Sequence, residues 1–192
     1  MNNESLGQRF ARIREHYKTE LPGMLAAHER TGRMQFDPYR LDFTSDMTPI
    51  EAAVWSDIRC AGLPFYPQMP ALQYFLDFAD PFKLIAIECD GKDWHDAEKD
   101  AKRDARLKEV GWTIYRIPGS MCRRTMRRPV DLLQEHEQNG YSDDEALRMV
   151  RGHAASWFTN TSEGIVEAIA ITHYGRTSPF TDSGMYVRPI SS

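Results

Sequence analysis

Residues 85–96 read IAIECDGKDWHD, and this stretch indicates how the middle of the chain is built. It begins with an apolar run and then carries four carboxylates, a lysine and a histidine. Side chains alternate between the two faces of a strand, so Ile85 and Ile87 share one face while Glu88 and Asp90 share the other. The pattern predicts a strand with one face in the core and its acids on the opposite face.

A helix is predicted before this strand. Thr48 and Glu51 have the spacing of a capping box, Pro49 stands at the first helical position, and Gly62 ends the helix. The capping box leaves two roles open for Glu51, because a carboxylate that caps a helix is less free to act in a site.

The strands and helices that follow predict an α/β core. Residues 64–69 and 72–79 are short and aromatic-rich, as strands are. A helix over 97–110 and a strand over 112–117 come after the acidic stretch, and a strand–helix–strand unit predicts a parallel pair. The order of elements is helix, three strands, helix, strand, in a mixed sheet.

Helical segments flank this core on both sides. Residues 4–20 have helical periodicity, with Leu6 on the apolar face, and Pro22 and Gly23 predict a break after it. The chain is again helical after Pro129, although 162–175 fits a helix or a strand, with the helix favoured. We expect an N-terminal helical extension over 1–45, a core over 46–128 and a mostly helical region over 129–192.

Composition excludes several classes of protein. The 192 residues contain no apolar run long enough to span a membrane and only three cysteines, which are far apart in sequence. A disulfide framework and a four-thiolate zinc site are therefore not expected. The N-terminus has no secretory signal pattern, and we expect a cytoplasmic protein.

The net charge of −4 hides a strong segregation of charge. Residues 48–98 carry nine acidic and three basic side chains, whereas residues 99–128 carry three acidic and ten basic ones. An acidic block next to a basic one indicates a mechanism that uses both negatively and positively charged side chains.

Three carboxylates are predicted to converge at the end of the sheet. Asp77 lies eleven residues before Glu88 across a tight turn, so the two can be neighbours in the sheet, and Asp90 shares the face of Glu88. Two unit charges about 4 Å apart repel by about 4 kcal/mol at an effective dielectric of 20. A hard cation such as Mg²⁺ removes that conflict. The alternative is that the acids are simply solvated.

The basic block suits a phosphate backbone. Within this block, Arg116 lies on the fourth predicted strand. Four arginines then fall within six residues: Arg123, Arg124, Arg127 and Arg128. An acidic metal site beside such a flank is the layout of an enzyme that acts on a phosphodiester. For the basic side chains of the helix over 97–110, the alternative is that they pair with acids of the same helix.

Two residues between the acids and the helix have open roles. His95 is a candidate for proton transfer near the scissile phosphate, or a structural residue at a helix start. Lys92 either stabilises an attacking hydroxide or occupies a turn.

Several ordered motifs within residues 46–120 resemble the very-short-patch-repair (Vsr)-like branch of the PD-(D/E)XK endonucleases. They are MTPIEAAVW, PQ with YFLDF, IECDG followed by H, DAKRDARL, and YRI. The resemblance implies a restriction-endonuclease-like fold and a bacterial or phage setting. The zinc-binding cysteine cluster of the repair enzyme is not recognisable here, so mismatch specificity is not implied.

The resemblance also implies roles for individual residues. Asp77 and Glu88 match the metal-binding acids, and Asp90 stands where most PD-(D/E)XK enzymes have lysine, as is usual in this branch. The other matching positions are Glu51, Gln68, His95, Asp100, Arg103 and Arg116. Catalysis would then involve Asp77, Glu88, Asp90, His95 and Glu51, and nucleic-acid binding would involve Lys92, Gln68, Arg103, Arg116, Arg123, Arg124, Arg127 and Arg128.

Together these features predict an Mg²⁺-dependent DNA endonuclease, with Mn²⁺ as a substitute and DNA as the partner. Two alternatives stay open. One is a nucleic-acid-binding module of the same fold without turnover. The other is a role in protein interaction, with a partner bound through the acidic C-terminal region.

Overall fold

The computed structural model of the chain describes residues 4–31, 47–91 and 97–180, which form helices around a four-stranded sheet. The elements in order are α1 (Leu6–Thr31), α2 (Pro49–Cys60), β1 (Tyr66–Ala71), β2 (Tyr74–Asp80), β3 (Ile85–Asp90), α3 (Ala97–Glu109), β4 (Thr113–Pro118), α4 (Pro129–Gln138), α5 (Asp143–Asn160) and α6 (Ser162–Tyr174).

The sheet is mixed, and its strands follow the order β1-β2-β3-β4. β1 and β2 pair antiparallel, β2 and β3 pair antiparallel, and β3 and β4 pair parallel. The parallel pair has α3 between its two strands in sequence, as predicted from the strand–helix–strand order. The predicted α/β class and mixed sheet are confirmed.

Each face of the sheet packs against helices. On one face, Ile85 and Ile87 of β3 are buried with α2 and α6. On the other face, Ala86 is buried with residues of α1 and with Leu107 of α3. The predicted division of β3 into two faces is therefore confirmed, but the second face is buried as well. Glu88 lies on this α3 face, where its carboxylate contacts Arg103.

Helix α1 is longer than predicted, because it continues through Pro22 to Thr31. An interior proline costs about 3 kcal/mol in a helix. Burial of Ile13 and Tyr17 before the proline and of Ala27 after it offsets this cost. The Tyr17 hydroxyl also donates to the Pro67 carbonyl of β1 at 2.6 Å. The expectation that Leu6 belongs to the apolar face is wrong, since its side chain is 68% exposed.

The C-terminal helices confirm the prediction made for residues 162–175. Residues 162–174 are helical, so the segment that fitted a helix or a strand is α6. It is mostly apolar because it lies between the sheet and α5. Ser142 and Glu145 form a capping box at the start of α5. The division of the chain at residues 45 and 128 stays a prediction, although helices from both flanking segments pack on the sheet.

Within the ranges that the structure describes, no helix combines the length and the apolar character needed to cross a bilayer.

Helices α5 and α6 approach closely at Gly164. A Cβ there would lie 2.8 Å from the Cα of Phe158 and would also overlap the carbonyl of Trp157, and both obstacles are backbone. We expect Gly164→Ala to lower the free energy of unfolding by about 1–3 kcal/mol, as overpacking does. Urea denaturation measures the change.

Gly152, in the middle of α5, is the matched control because a Cβ there meets open space. Gly152→Ala should raise the free energy of unfolding by up to about 1 kcal/mol through helix propensity. Equal effects of the two substitutions would contradict the close approach.

Candidate active site

The sheet opens between β2 and β3 at the level of Asp77 and Glu88. The ladder between these strands pairs Phe78 with Ile87 and ends there. Beyond it, Asp77 Oδ2 accepts a hydrogen bond from the Cys89 backbone N–H at 2.8 Å. A side chain therefore takes the place of the next backbone contact. We call this opening the fork, and Asp77 and Glu88 stand on its two sides.

The neighbouring pair β1–β2 is also distorted at this level. Its ladder pairs Pro67 with Phe78 and Met69 with Leu76, but the pair between them, Gln68 with Asp77, is missing. Gln68 has a φ of 52°, in the left-handed region. Such a conformation costs about 1–3 kcal/mol, and residues that keep it cluster at active sites and ligand clamps. By the register of the ladder, Gln68 thus lies opposite Asp77, and the resemblance assigns both residues to the site.

Arg103 of α3 contacts Glu88. Its Nη2 donates to Glu88 Oε1 at 2.6 Å and to the Phe75 carbonyl at 3.2 Å. Both charged side chains are largely buried, at 17% and 10% exposure. This pair keeps the Glu88 carboxylate in place.

Arg116 of β4 joins two further acids. Its Nη2 donates to both carboxylate oxygens of Asp104, at 3.0 and 2.8 Å, and its Nη1 lies 3.5 Å from Asp90 Oδ1. Glu88 and Arg116 are also partners in the parallel ladder of β3 and β4. Alternating acids and arginines therefore cover the α3 face of the sheet at this end.

The two acids of the fork are held in an environment that disfavours their charge. Burial raises the pKa of Asp77 well above its ordinary value, and the nearby charge of Glu88 raises it further, against the opposing effect of the Cys89 N–H. Burial also raises the pKa of Glu88, although Arg103 opposes that shift. A positive ligand at the fork would relieve both effects.

Glu51 caps α2, as one of its two predicted roles requires. The Thr48 N–H donates to Glu51 Oε2 at 2.6 Å, and the Glu51 N–H donates to Thr48 Oγ1 at 3.4 Å. The charge of Glu51 also contributes to the raised pKa of Asp77. The residue therefore lies near the fork while one of its oxygens is used by the cap.

The four clustered arginines do not enter the fork. Arg127 and Arg128 pair with acids of α4, Glu135 at 2.5 Å and Asp131 at 2.7 Å. The other two, Arg123 and Arg124, are exposed on the segment after β4.

Lys92 and His95 lie outside the described residues. Within those described, no three Asp, Glu, His or Cys side chains converge closely enough to hold a metal ion. Asp77 and Glu88 nevertheless have the chemistry for one, since Mg²⁺ is usually bound by one or two carboxylates plus waters and phosphates. Their raised pKa values fit a cation rather than exclude it.

Sequence reasoning missed Asp104. A signal was present, because Asp100, Arg103, Asp104 and Leu107 have the i, i+3, i+4, i+7 spacing of one helix face. Leu107 is buried against the sheet. A single buried leucine therefore marks which side of this charged helix faces inward.

Comparison with known proteins adds a family. A family model described as REase_MTES_1575 matches residues 50–136, from the start of α2 into α4. An uncharacterised protein of Haemophilus influenzae is 30% identical over 105 residues, which cover 52% of this chain and 87% of that protein. No solved structure matches the chain. The family match and the mixed sheet together agree with the predicted restriction-endonuclease-like fold.

The buried pair of Arg116 and Asp104 should matter for stability. Asp104→Ala removes the main partner of a largely buried guanidinium, and leaving such a donor unsatisfied costs about 1–3 kcal/mol. The measurement is the midpoint and slope of urea unfolding.

The pair of Arg128 and Asp131 is the matched control, because it also has two hydrogen bonds, at 2.9 and 2.7 Å, but lies on the surface. Asp131→Ala should leave the midpoint almost unchanged. A small effect of Asp104→Ala would show that Arg116 does not depend on it.

The raised pKa of Asp77 predicts a pH dependence. The folded state binds a proton at Asp77 more tightly than the unfolded state, so this carboxyl favours folding at low pH and loses that contribution as pH rises through the folded pKa. Asp77→Asn cannot titrate. In buffer with chelator, the free energy of unfolding of the variant minus that of the wild type should increase from pH 4 to pH 8.

Each pKa unit corresponds to about 1.4 kcal/mol, so the difference is measurable by denaturation at several pH values. If the difference in the free energy of unfolding between the two proteins stays constant with pH, folding does not shift the pKa of Asp77.

Proposed function

This chain belongs to a restriction-endonuclease-like family, and we propose that it is a metal-dependent endonuclease that hydrolyses DNA phosphodiester bonds. The main support is the fork, where Asp77 and Glu88 meet from neighbouring strands with raised pKa values. A fold needs some compensation to keep two such acids together, and a divalent cation supplies it. Placement in the Vsr-like branch, with its link to DNA repair, stays a prediction.

Asp77 and Glu88 would hold Mg²⁺, with Mn²⁺ as a substitute. When bound, the ion supplies neutralisation of the phosphate charge and an acidified water. Asp90, which lies two residues from Glu88 and beside Arg116, would orient that water or add a ligand. His95 would transfer a proton near the scissile phosphate, and Glu51 would act at the fork through its charge.

Binding of DNA would rest on exposed cations beside the fork. β3 and β4 end side by side, with Asp90 opposite Pro118 in the ladder. The segment after β4 carries Arg123 and Arg124, whose exposure suits contacts with phosphates. Lys92 and Gln68 are the further predicted contacts on the nucleic-acid side.

One observation favours the second candidate, a nucleic-acid-binding module of the same fold without turnover. The Glu88 carboxylate already has a positive partner, since Arg103 bonds it at 2.6 Å. A site neutralised by its own arginine has less need of a cation. The two candidates differ in whether a divalent ion is required.

The deciding experiment incubates supercoiled plasmid with the wild type and with Asp77→Ala while Mg²⁺ or Mn²⁺ is varied. We expect the wild type to nick or linearise DNA only with metal. The variant should lose at least about a hundredfold in rate, the scale for removing one group that stabilises transition-state charge. Asp131→Ala, an acid on the surface of α4, should cleave like the wild type.

Equal cleavage by the wild type and Asp77→Ala would refute the assignment of the site. Salt-sensitive DNA binding without cleavage, under any metal or substrate form, would establish the binding module instead.

A further inference from the structure

The fork has few connections across it, and Arg103 makes one of them. Past the pair Phe78–Ile87, the described residues connect β2 and β3 through the Cys89 N–H on Asp77 and through the Arg103 guanidinium. We propose that Arg103 is a positioning residue that holds the two sides of the fork at a fixed separation, in place of the DNA contact expected from its charge. The inference rests on the proposed function, in which the fork is the active site. The observations that support it are the contacts of Arg103 within the chain.

A single nitrogen of Arg103 contacts both strands. Arg103 Nη2 donates both to the Phe75 carbonyl, on β2, and to Glu88 Oε1, on β3. Phe75 precedes Asp77 by two residues, so it lies on the open side of the fork. Because one nitrogen serves both acceptors, the strands there cannot separate without breaking a bond. The bond to Glu88 joins two charged groups and is therefore stronger than a bond between neutral groups.

The position of the guanidinium supports the same role. It lies 5.8 Å from the centre of the Tyr74 ring, which also belongs to β2. It is anchored from behind by α3, where Leu107, one helical turn away, is buried in the core. A side chain held by two strands and a helix is suited to fixing geometry. Arg124, by contrast, is exposed beyond β4 and is suited to contacting a phosphate.

The clamp determines how the two acids face the fork. The bonds found among the described residues use one oxygen of each acid, Oδ2 of Asp77 and Oε1 of Glu88. Fixing one oxygen of a carboxylate orients the other. Arg103 would thereby align Glu88 with Asp77 for a shared ligand, which is preorganisation by a residue that does not itself react.

The first test is amide hydrogen exchange, measured by NMR on the full chain without DNA or metal. In the wild type, the Cys89 N–H is protected by Asp77. Arg103→Lys retains a positive charge beside Glu88 but carries its nitrogen on a shorter side chain, which should not reach Glu88 and the Phe75 carbonyl together. We expect exchange of the Cys89 amide to rise about tenfold in Arg103→Lys and at least as much in Arg103→Ala, the factor for one lost hydrogen bond.

The second test is the salt dependence of DNA binding in chelator. A phosphate contact contributes about 0.9 to the slope of log affinity against log salt. Arg124→Ala should therefore lower the slope by about one, whereas Arg103→Ala and Arg103→Lys should leave it unchanged. Wild-type exchange at Cys89 in both Arg103 variants would overturn the clamp, and so would a slope lowered by about one in Arg103→Ala.

The two proposals can fail separately. If the protein neither binds nor cleaves DNA, the proposed function fails, and the exchange of the Cys89 amide still decides the clamp. If metal-dependent cleavage is found but exchange in both Arg103 variants matches the wild type, only the clamp fails.

Discussion

Two carboxylates that meet inside the fold, Asp77 and Glu88, impose the main constraint on this protein. Each is placed by its own strand, and burial raises the pKa of both. The surrounding structure compensates with a backbone N–H on Asp77 and a guanidinium on Glu88. The opening of the sheet at this level follows from the same constraint, because a side chain takes the place of a ladder bond there. The arrangement is compact but electrostatically costly, as sites that bind a charged ligand often are.

Helix α3 gains its importance from this constraint. Its sequence is mostly charged, and Leu107 alone among its described residues is fully buried. Around that leucine, Arg103 reaches the fork while Asp104 holds Arg116 on β4. Helix α3 therefore supplies the positive charge beside Glu88 and the carboxylate that holds Arg116 on the same sheet. The packing of a single leucine sets the position of both contacts.

Much of the architecture could be read from local patterns. The capping boxes at Thr48 and Ser142, the alternation along β3 and the breaks at Gly62 and Gly111 each depend on residues within one turn or one strand. Patterns failed where packing opposed a local preference. Pro22 predicts the end of a helix, yet α1 continues because Ile13, Tyr17 and Ala27 are buried along it. Gln68 adopts a left-handed backbone that no local signal indicates, at the position where its ladder pair with Asp77 is missing.

The sequence by itself determined the order of elements, the faces of β3 and the presence of acids from two adjacent strands, because periodicity and turn chemistry act over short distances. The tertiary structure alone decided which arginine serves which acid. Arg103 and Arg116 have long side chains, and the acids within their reach depend on where α3 and β4 pack rather than on spacing along the chain. Sequence reasoning could thus place the carboxylates at one end of the sheet. Only the packed helix shows that Arg103 spans the fork and that Asp104, to which the sequence assigned no role, holds Arg116.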